Sequence, residues 1–206
     1  MLIIGLTGGI GTGKSEVSHI LRELGSVVIE SDKVAHQSYE PGTKAHGLIV
    51  NQFGEDVLDD SGFIDRKSLG KIVFSDPARR LELEKIVWPA TRELTLALLK
   101  KETERRTKVV VVEVPKLFES EWDNVANVVW TVEAPKSLVF QRVKRRSGMS
   151  ESDTEARVAA QLTRQERVDK ADIVIENDGT LEDLRNQISK LWKSIHQGMY
   201  PGMNPK

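Results

Sequence analysis

Gly8-Gly9-Ile10-Gly11-Thr12-Gly13-Lys14-Ser15 decides the fold. The octet satisfies G-x-x-x-x-G-K-[ST] without a mismatch. An apolar run at residues 2–7 precedes it. Val17, Ile20, Leu21 and Leu24 follow at helical spacing, and Gly25 closes that pattern. Strand, glycine-rich loop and helix in this order make a phosphate cradle. Glycines allow the dihedrals that turn successive backbone N–H groups toward one anion, and the helix N-terminus adds positive potential. The expected contacts to a nucleoside triphosphate are the backbone N–H groups from Gly9 through Gly11, Thr12, Gly13 and Lys14 to Ser15. Lys14 is expected to neutralise the β and γ phosphates, and Ser15 to place its hydroxyl on Mg²⁺.

Working outward, four more apolar runs read as strands, at residues 26–29, 108–114, 127–132 and 172–175. Several are near-continuous Val and Ile, as buried parallel strands tend to be. Helical patterns separate them, so the expected class is an α/β domain with a five-stranded parallel sheet flanked by helices. The last helix is marked by Thr180 and Asp183 as a capping box, with Leu184, Ile188, Leu191 and Ile195 on one face. The tail from Gly198 to Lys206 is expected to fray.

Residues 33–106 hold no convincing strand and are far longer than a simple crossover. They read as helices over Lys44–Phe53, residues 66–74 and a stretch from Pro77 that Ser75 or Asp76 caps. Pro89 is expected to end or kink that stretch near Trp88. The division expected is therefore a core of residues 1–32 and 107–206 and a helical insertion at 33–106. A polar helical excursion at 146–168, opened by Ser150 and Asp153, forms a lid segment within the core.

Composition narrows the function. Among 206 residues, 30 basic and 31 acidic side chains leave a net charge of -1. That removes a global electrostatic case for nucleic acid or an anionic membrane. No cysteine is present, so disulfides, thiolate metal sites and cysteine nucleophiles are excluded. His19, His36, His46 and His196 form no obvious ligand pair, and His19 reads as helix surface. No run approaches a membrane span, and the start lacks the basic, apolar pattern of a signal peptide, so a cytoplasmic enzyme is expected. Asp169-Lys170-Ala171-Asp172 and Asp59-Asp60-Ser61-Gly62 only superficially match guanine-nucleotide motifs, because both stand in the wrong context.

Acids at the C-terminal ends of parallel strands line the ligand crevice. Asp32, after the second strand, either orients and deprotonates an attacking hydroxyl and helps hold water around Mg²⁺, or caps the helix that follows. Glu113, after four valines, reaches Mg²⁺ through water or is structural. Glu119 is a further acid that caps or pairs with a base. Between Arg142 and Lys170 stand eight basic and five acidic residues, a local excess of three positive charges. They make either a solvated face or a clamp that closes on a transferring phosphoryl group and excludes water. The acceptor stays open at this level: water, a small molecule or a protein switch.

On these residues the chain resembles the dephospho-coenzyme A kinase family over residues 3 to about 191. Gly5-Leu6-Thr7-Gly8-Gly9-Ile10-Gly11-Thr12-Gly13-Lys14-Ser15 is the family's extended loop. Glu30-Ser31-Asp32, Phe53-Gly54, Ser61-Gly62, Arg66, Leu83-Glu84 and Trp88-Pro89 match its following motifs. So do Pro115-Lys116-Leu117-Phe118-Glu119 and, later, Gln161, Ala171-Asp172, Ile175 and Asn177-Asp178-Gly179. The resemblance implies a P-loop kinase fold and transfer from ATP with Mg²⁺ to the ribose 3′-hydroxyl of dephospho-coenzyme A. It implies Asp32 as general base and Arg142 and Arg146 as phosphate contacts at the lid edge. Asn177 and Gly179 fall on the adenine side, and Phe53, Arg66, Trp88 and Asp32 on the acceptor side. The partners implied are these two small molecules, with neither nucleic acid nor membrane. Oligomeric state is not legible. Glu30, Glu113, Trp88 and Lys116 depart from the family's Asp, Asp, His and Leu. The rivals are another small-molecule kinase and a P-loop regulatory module that hydrolyses ATP slowly.

Overall fold

The structure is a computed structural model, described over residues 1–198. The expected tail lies, beyond Gly198, outside the described residues. Five strands, β1 (Leu2–Gly8), β2 (Val27–Glu30), β3 (Val109–Glu113), β4 (Val128–Glu133) and β5 (Ile173–Glu176), form one sheet in the order β2-β3-β1-β4-β5. β1 runs parallel to β3 and β4, and β4 runs parallel to β5. β1 is therefore central, with Leu6 opposite Glu113 and Gly8 opposite Val132. Chain order leaves β1 in both directions, so the loop after β1 sits at the topological switch point, where such sheets bind ligands.

Helix α1 (Lys14–Glu23) follows that loop. Its buried Val17, Ile20 and Leu21 join Ile4, Leu6 and Trp130 of the sheet and Leu184, Ile188, Trp192 and Ile195 of the C-terminal helix in one core. Truncating one such fully buried aliphatic to Ala costs about 2–5 kcal/mol. Gly5 serves the other face, where an added Cβ would lie 2.9 Å from Leu117 Cδ1 and 3.0 Å from Ala126 Cβ.

The chain divides into two compact units: Met1–Ile29 with the segment that begins at Arg105, and Glu30–Glu104. The second unit starts at Glu30, not at residue 33, so Asp32 belongs to it by packing. It contains helices α2 (Ser31–Ser38), α3 (Lys44–Phe53), α4 (Arg66–Ser75) and α5 (Pro77–Glu104). Its core gathers Ile49, Phe53, Val57, Ile64, Leu69 and Val73. Asp65 caps α4 by accepting from the Lys67 and Ser68 amides. Asp76, not Ser75, caps α5 through the amides of Ala78 and Arg79.

Pro89 does not end the helix: α5 runs from Pro77 through it to Glu104. Proline removes one intrahelical N–H bond. Just beyond it the Thr91 hydroxyl donates to the Val87 carbonyl at 2.7 Å, and packing of α5 against α2, α3 and α4 holds the segment helical.

After β4 come α6 (Lys136–Ser147), α7 (Glu151–Ala159), α8 (Arg164–Lys170) and, beyond β5, α9 (Leu181–His196). Gly148, at φ 66°, stops α6 in the left-handed conformation. Both α8 and α9 open with capping boxes, Thr163 with Glu166 and Thr180 with Asp183. At α7 the Ser150 hydroxyl accepts from the Asp153 amide and donates to the Asp153 carboxylate, so that cap is one-sided.

Candidate functional site

The glycine loop takes its shape from close approaches that no side chain could share. Gly8, at φ +146°, would place a Cβ 2.3 Å from the Val132 carbonyl oxygen. Gly13, at φ +105°, would place one 2.2 Å from Asn177 Nδ2. That proximity is used: Asn177 Nδ2 donates to the Thr12 carbonyl at 2.7 Å. The Thr12 hydroxyl donates to the Gly9 carbonyl at 2.9 Å. Lys14 folds over the loop, its Nζ donating to the carbonyls of Gly8 at 2.7 Å and Gly9 at 2.9 Å. The cation is thus held at the N-terminal end of α1.

One expected donor is committed elsewhere. The Ile10 N–H donates to Gln161 Oε1 at 2.9 Å. Nearer the helix, Gly11, Gly13, Lys14 and Ser15 border an open cleft of about 580 Å³. Arg142, Arg145, Arg146, Asn177, Gly179 and Leu181 complete much of its wall. Arg142 donates to Thr12 O and to Asn177 Oδ1, both at 3.4 Å. The cleft therefore collects three guanidinium groups, one ammonium and a helix N-terminus around one concave surface, opposed by Glu16. Such a field suits a polyanion.

Glu113 and Glu133 end the strands on either side of β1, and both are buried. Glu113 Oε2 accepts from the Ser18 hydroxyl at 2.6 Å and so ties α1 to β3. Ser15 is exposed in the first turn of α1. Among the described residues, no group of three or more His, Asp or Glu side chains could hold a metal. Ser15 leaves one hydroxyl at the start of α1, while the Glu113 carboxylate is engaged by Ser18.

In the second unit, Asp32 is exposed in the first turn of α2, whose N-cap is Glu30. One turn on, His36 shares a hydrogen bond of 2.5 Å with the Tyr39 hydroxyl. Burial first, and the Arg66 cation second, hold His36 below the usual imidazole range, against a smaller opposite pull from Asp32. Burial pushes the Tyr39 phenol up. Asp32, His36, Tyr39 and Arg66 therefore share one electrostatic neighbourhood. Trp88 is 38% exposed on α5. Phe53 is 8% exposed in the unit's core, with the Arg79 guanidinium 4.6 Å from its ring centre.

Residues that sequence reasoning left unassigned complete the loop's support. Arg167 forms a buried fork with Glu133, at 2.7 and 2.8 Å. Glu119, left open between capping and pairing, accepts the Leu162 N–H at 3.1 Å. The Thr163–Glu166 box had a readable signal in its T-x-x-E spacing. The Glu133–Arg167 pair had none, because its partners come from different elements.

The model of the dephospho-CoA kinase family matches residues 2–183. The dephospho-CoA kinase of Symbiobacterium thermophilum is 42% identical over 198 residues, which cover 96% of this chain and 83% of that protein. A Thermus thermophilus protein of known structure matches with TM-score 0.78 at 36% identity, over 94% of this chain and 97% of its own. The dephospho-CoA kinase of Campylobacter jejuni matches with TM-score 0.73 at 29% identity, over 95% and 98%. On a family model that spans most of its length and relatives about two-fifths identical, the chain belongs to the dephospho-CoA kinase family.

Proposed function

We propose that the cleft beside the phosphate loop binds ATP and that its γ-phosphoryl group passes to the ribose 3′-hydroxyl of dephospho-coenzyme A, giving coenzyme A and ADP. Family membership carries the reaction. The observation that carries the site is the cleft at the start of α1, where Lys14, Arg142 and Arg146 meet the loop's helix-side amides. Phosphoryl transfer needs little covalent help from protein and depends on positioning and charge neutralisation. Lys14 and the amides of Gly11, Gly13 and Ser15 hold the β and γ phosphates. Arg142 and Arg146, on the last turns of α6, add charge from the lid side and keep water from competing as acceptor.

Magnesium, when bound with the nucleotide, screens the phosphate charge, and Ser15 is the hydroxyl that would hold it. Glu113 acts through Ser18 to fix that end of α1. Asn177 and Gly179 border the adenine side, although the Asn177 amide also braces the loop. Residues 146–168 serve as the lid. The unit from Glu30 to Glu104 binds the acceptor, with Arg66 and Trp88 as its contacts. Asp32 orients the 3′-hydroxyl and accepts its proton. Among the described residues no helix is long and apolar enough to cross a membrane.

Asp32→Asn tests the base. The variant is expected to bind ATP as the wild type does and to lose transfer. Parallel loss of ATP binding and transfer would show that Asp32 serves folding or the metal instead.

A further inference from the structure

Glu133 is the last residue of β4 and is 1% exposed, and Arg167 of α8 is 9% exposed. The guanidinium meets both carboxylate oxygens, and the Thr131 hydroxyl donates to Oε1 at 2.7 Å. Arg167 Nη1 donates to the Leu162 carbonyl. Every charged atom thus has a partner. Yet stability does not account for such a pair, since desolvation offsets most of its Coulomb gain and well-packed apolar residues often do as well.

Its placement does account for it. A Cβ on Gly9 would lie 3.1 Å from Arg167 Nη2, so the guanidinium abuts the bare backbone of the phosphate loop. The link between α7 and α8 is pinned beside it: Leu162 by Arg167 and Glu119, and Gln161 by the Ile10 N–H. On the opposite side, the Glu133 carbonyl accepts the Asn177 N–H at 2.7 Å, and the Asn177 side chain donates to Thr12 O. The Glu133 carboxylate therefore reaches Ile10 through Arg167, the Leu162 carbonyl and the adjacent Gln161, and the Glu133 backbone carbonyl reaches Thr12 through Asn177. Ile10 and Thr12 bracket Gly11.

We infer that Arg167 and Glu133, acting through the Leu162 carbonyl and its neighbour Gln161, are positioning residues that set the direction of the loop amides and the root of the lid for ATP. Neither is among the residues that border the cleft. This rests on the proposal that the loop holds the ATP phosphates.

Kinetics and thermal unfolding of variants of the full chain test it. Arg167→Met leaves the Glu133 carboxylate buried without its partner. It should lower Tm, raise the KM for ATP and cut kcat by up to about 100-fold, the scale set by small misplacement of reacting groups. The double variant Glu133→Met with Arg167→Met removes both charges. It should regain most of the Tm while kcat and the KM for ATP stay impaired and the KM for dephospho-coenzyme A stays normal. Recovery of Tm and kinetics together would show a purely structural pair and overturn the inference.

Should the double variant not refold, Arg167→Lys and Gln161→Met decide. Both should raise the KM for ATP selectively. Wild-type values, or equal rises for both substrates, would overturn it. Lys14→Ala in the same assay separates the two levels. If Lys14→Ala leaves ATP kinetics unchanged, the phosphate-loop proposal fails and the inference with it. If it impairs them while Arg167 and Gln161 variants do not, only the inference fails.

Discussion

Replacing Gly13 by Ala should damage the loop by two separable effects. Gly13 sits at φ +105°, where an L side chain costs about 1–2 kcal/mol. Its Cβ would also lie 2.2 Å from Asn177 Nδ2, whereas ordinary contact begins at 3.4 Å. Asn177 is 8% exposed and bonded to Thr12 O at 2.7 Å, so it cannot retreat without breaking that bond. Leaving the Thr12 carbonyl and the Asn177 amide unsatisfied adds about 1–3 kcal/mol. The sum is about 2–5 kcal/mol, or a fall in Tm of about 5–15 °C for a chain of this length. Gly25 isolates the first effect, for it has φ +103° and an added Cβ would meet nothing within 4 Å. Gly25→Ala should cost only about 1–2 kcal/mol and leave ATP kinetics untouched. Thermal unfolding of both variants, with the KM for ATP measured at constant acceptor, checks the argument. Equal Tm losses and an unchanged KM for ATP in Gly13→Ala would refute it, because the Asn177 clasp would then contribute nothing to the loop.

Lys14→Ala should lower kcat about 10²–10³-fold, the usual effect of removing one preorganised charge donor at the reacting group. A turnover within a few-fold of wild type would assign Lys14 to bracing the loop through Gly8 and Gly9 only. The lowered pKa of His36 predicts a pH effect on stability. The unfolded chain takes up this proton near pH 6.5, the folded chain only at lower pH. Stability is therefore complete above about pH 6.5 and is lost as pH falls from there through the folded pKa. Between about pH 7 and 5, Tm should fall more in the wild type than in His36→Gln, and equal falls would exclude the histidine as the source. Asp65 and Asp183, held low by hydrogen bonds from Ser68 and Thr180, lose their contributions only in the more acidic carboxylate range.

The sheet was legible because its strands carry long apolar runs and its first turn carries a motif with a fixed geometry. β1 and α1 follow from residues 2–24 by local physics alone. In the Glu30–Glu104 unit, helices over residues 44–53 and 66–74 and the start of α5 behind Asp76 were legible. Of the two outcomes expected at Pro89, an end or a kink, the end does not occur, because propensity is local while α5 is held helical by packing along its length. Burial of Phe53 in the unit's core was not legible, because a motif match does not report burial. At the site, Lys14, Ser15, Arg142, Arg146, Asn177 and Gly179 gather at one cleft as their motifs implied. What braces them was not legible. Glu133 reads as one more strand-end acid and Arg167 as one more helix cation, and only the fold brings them together, 34 residues apart. The Ile10 amide likewise reads as a phosphate ligand in sequence, whereas in the fold Gln161 occupies it.

The most direct test is to incubate the protein with ATP, Mg²⁺ and dephospho-coenzyme A, beside nucleosides, nucleoside monophosphates and a water blank, and to weigh and map the product. The account predicts one phosphoryl group added to dephospho-coenzyme A alone, at the ribose 3′ position, with ADP formed in equal amount and little in the blank. ADP formed equally with and without acceptor, or a phosphoryl group on a different acceptor, would contradict it.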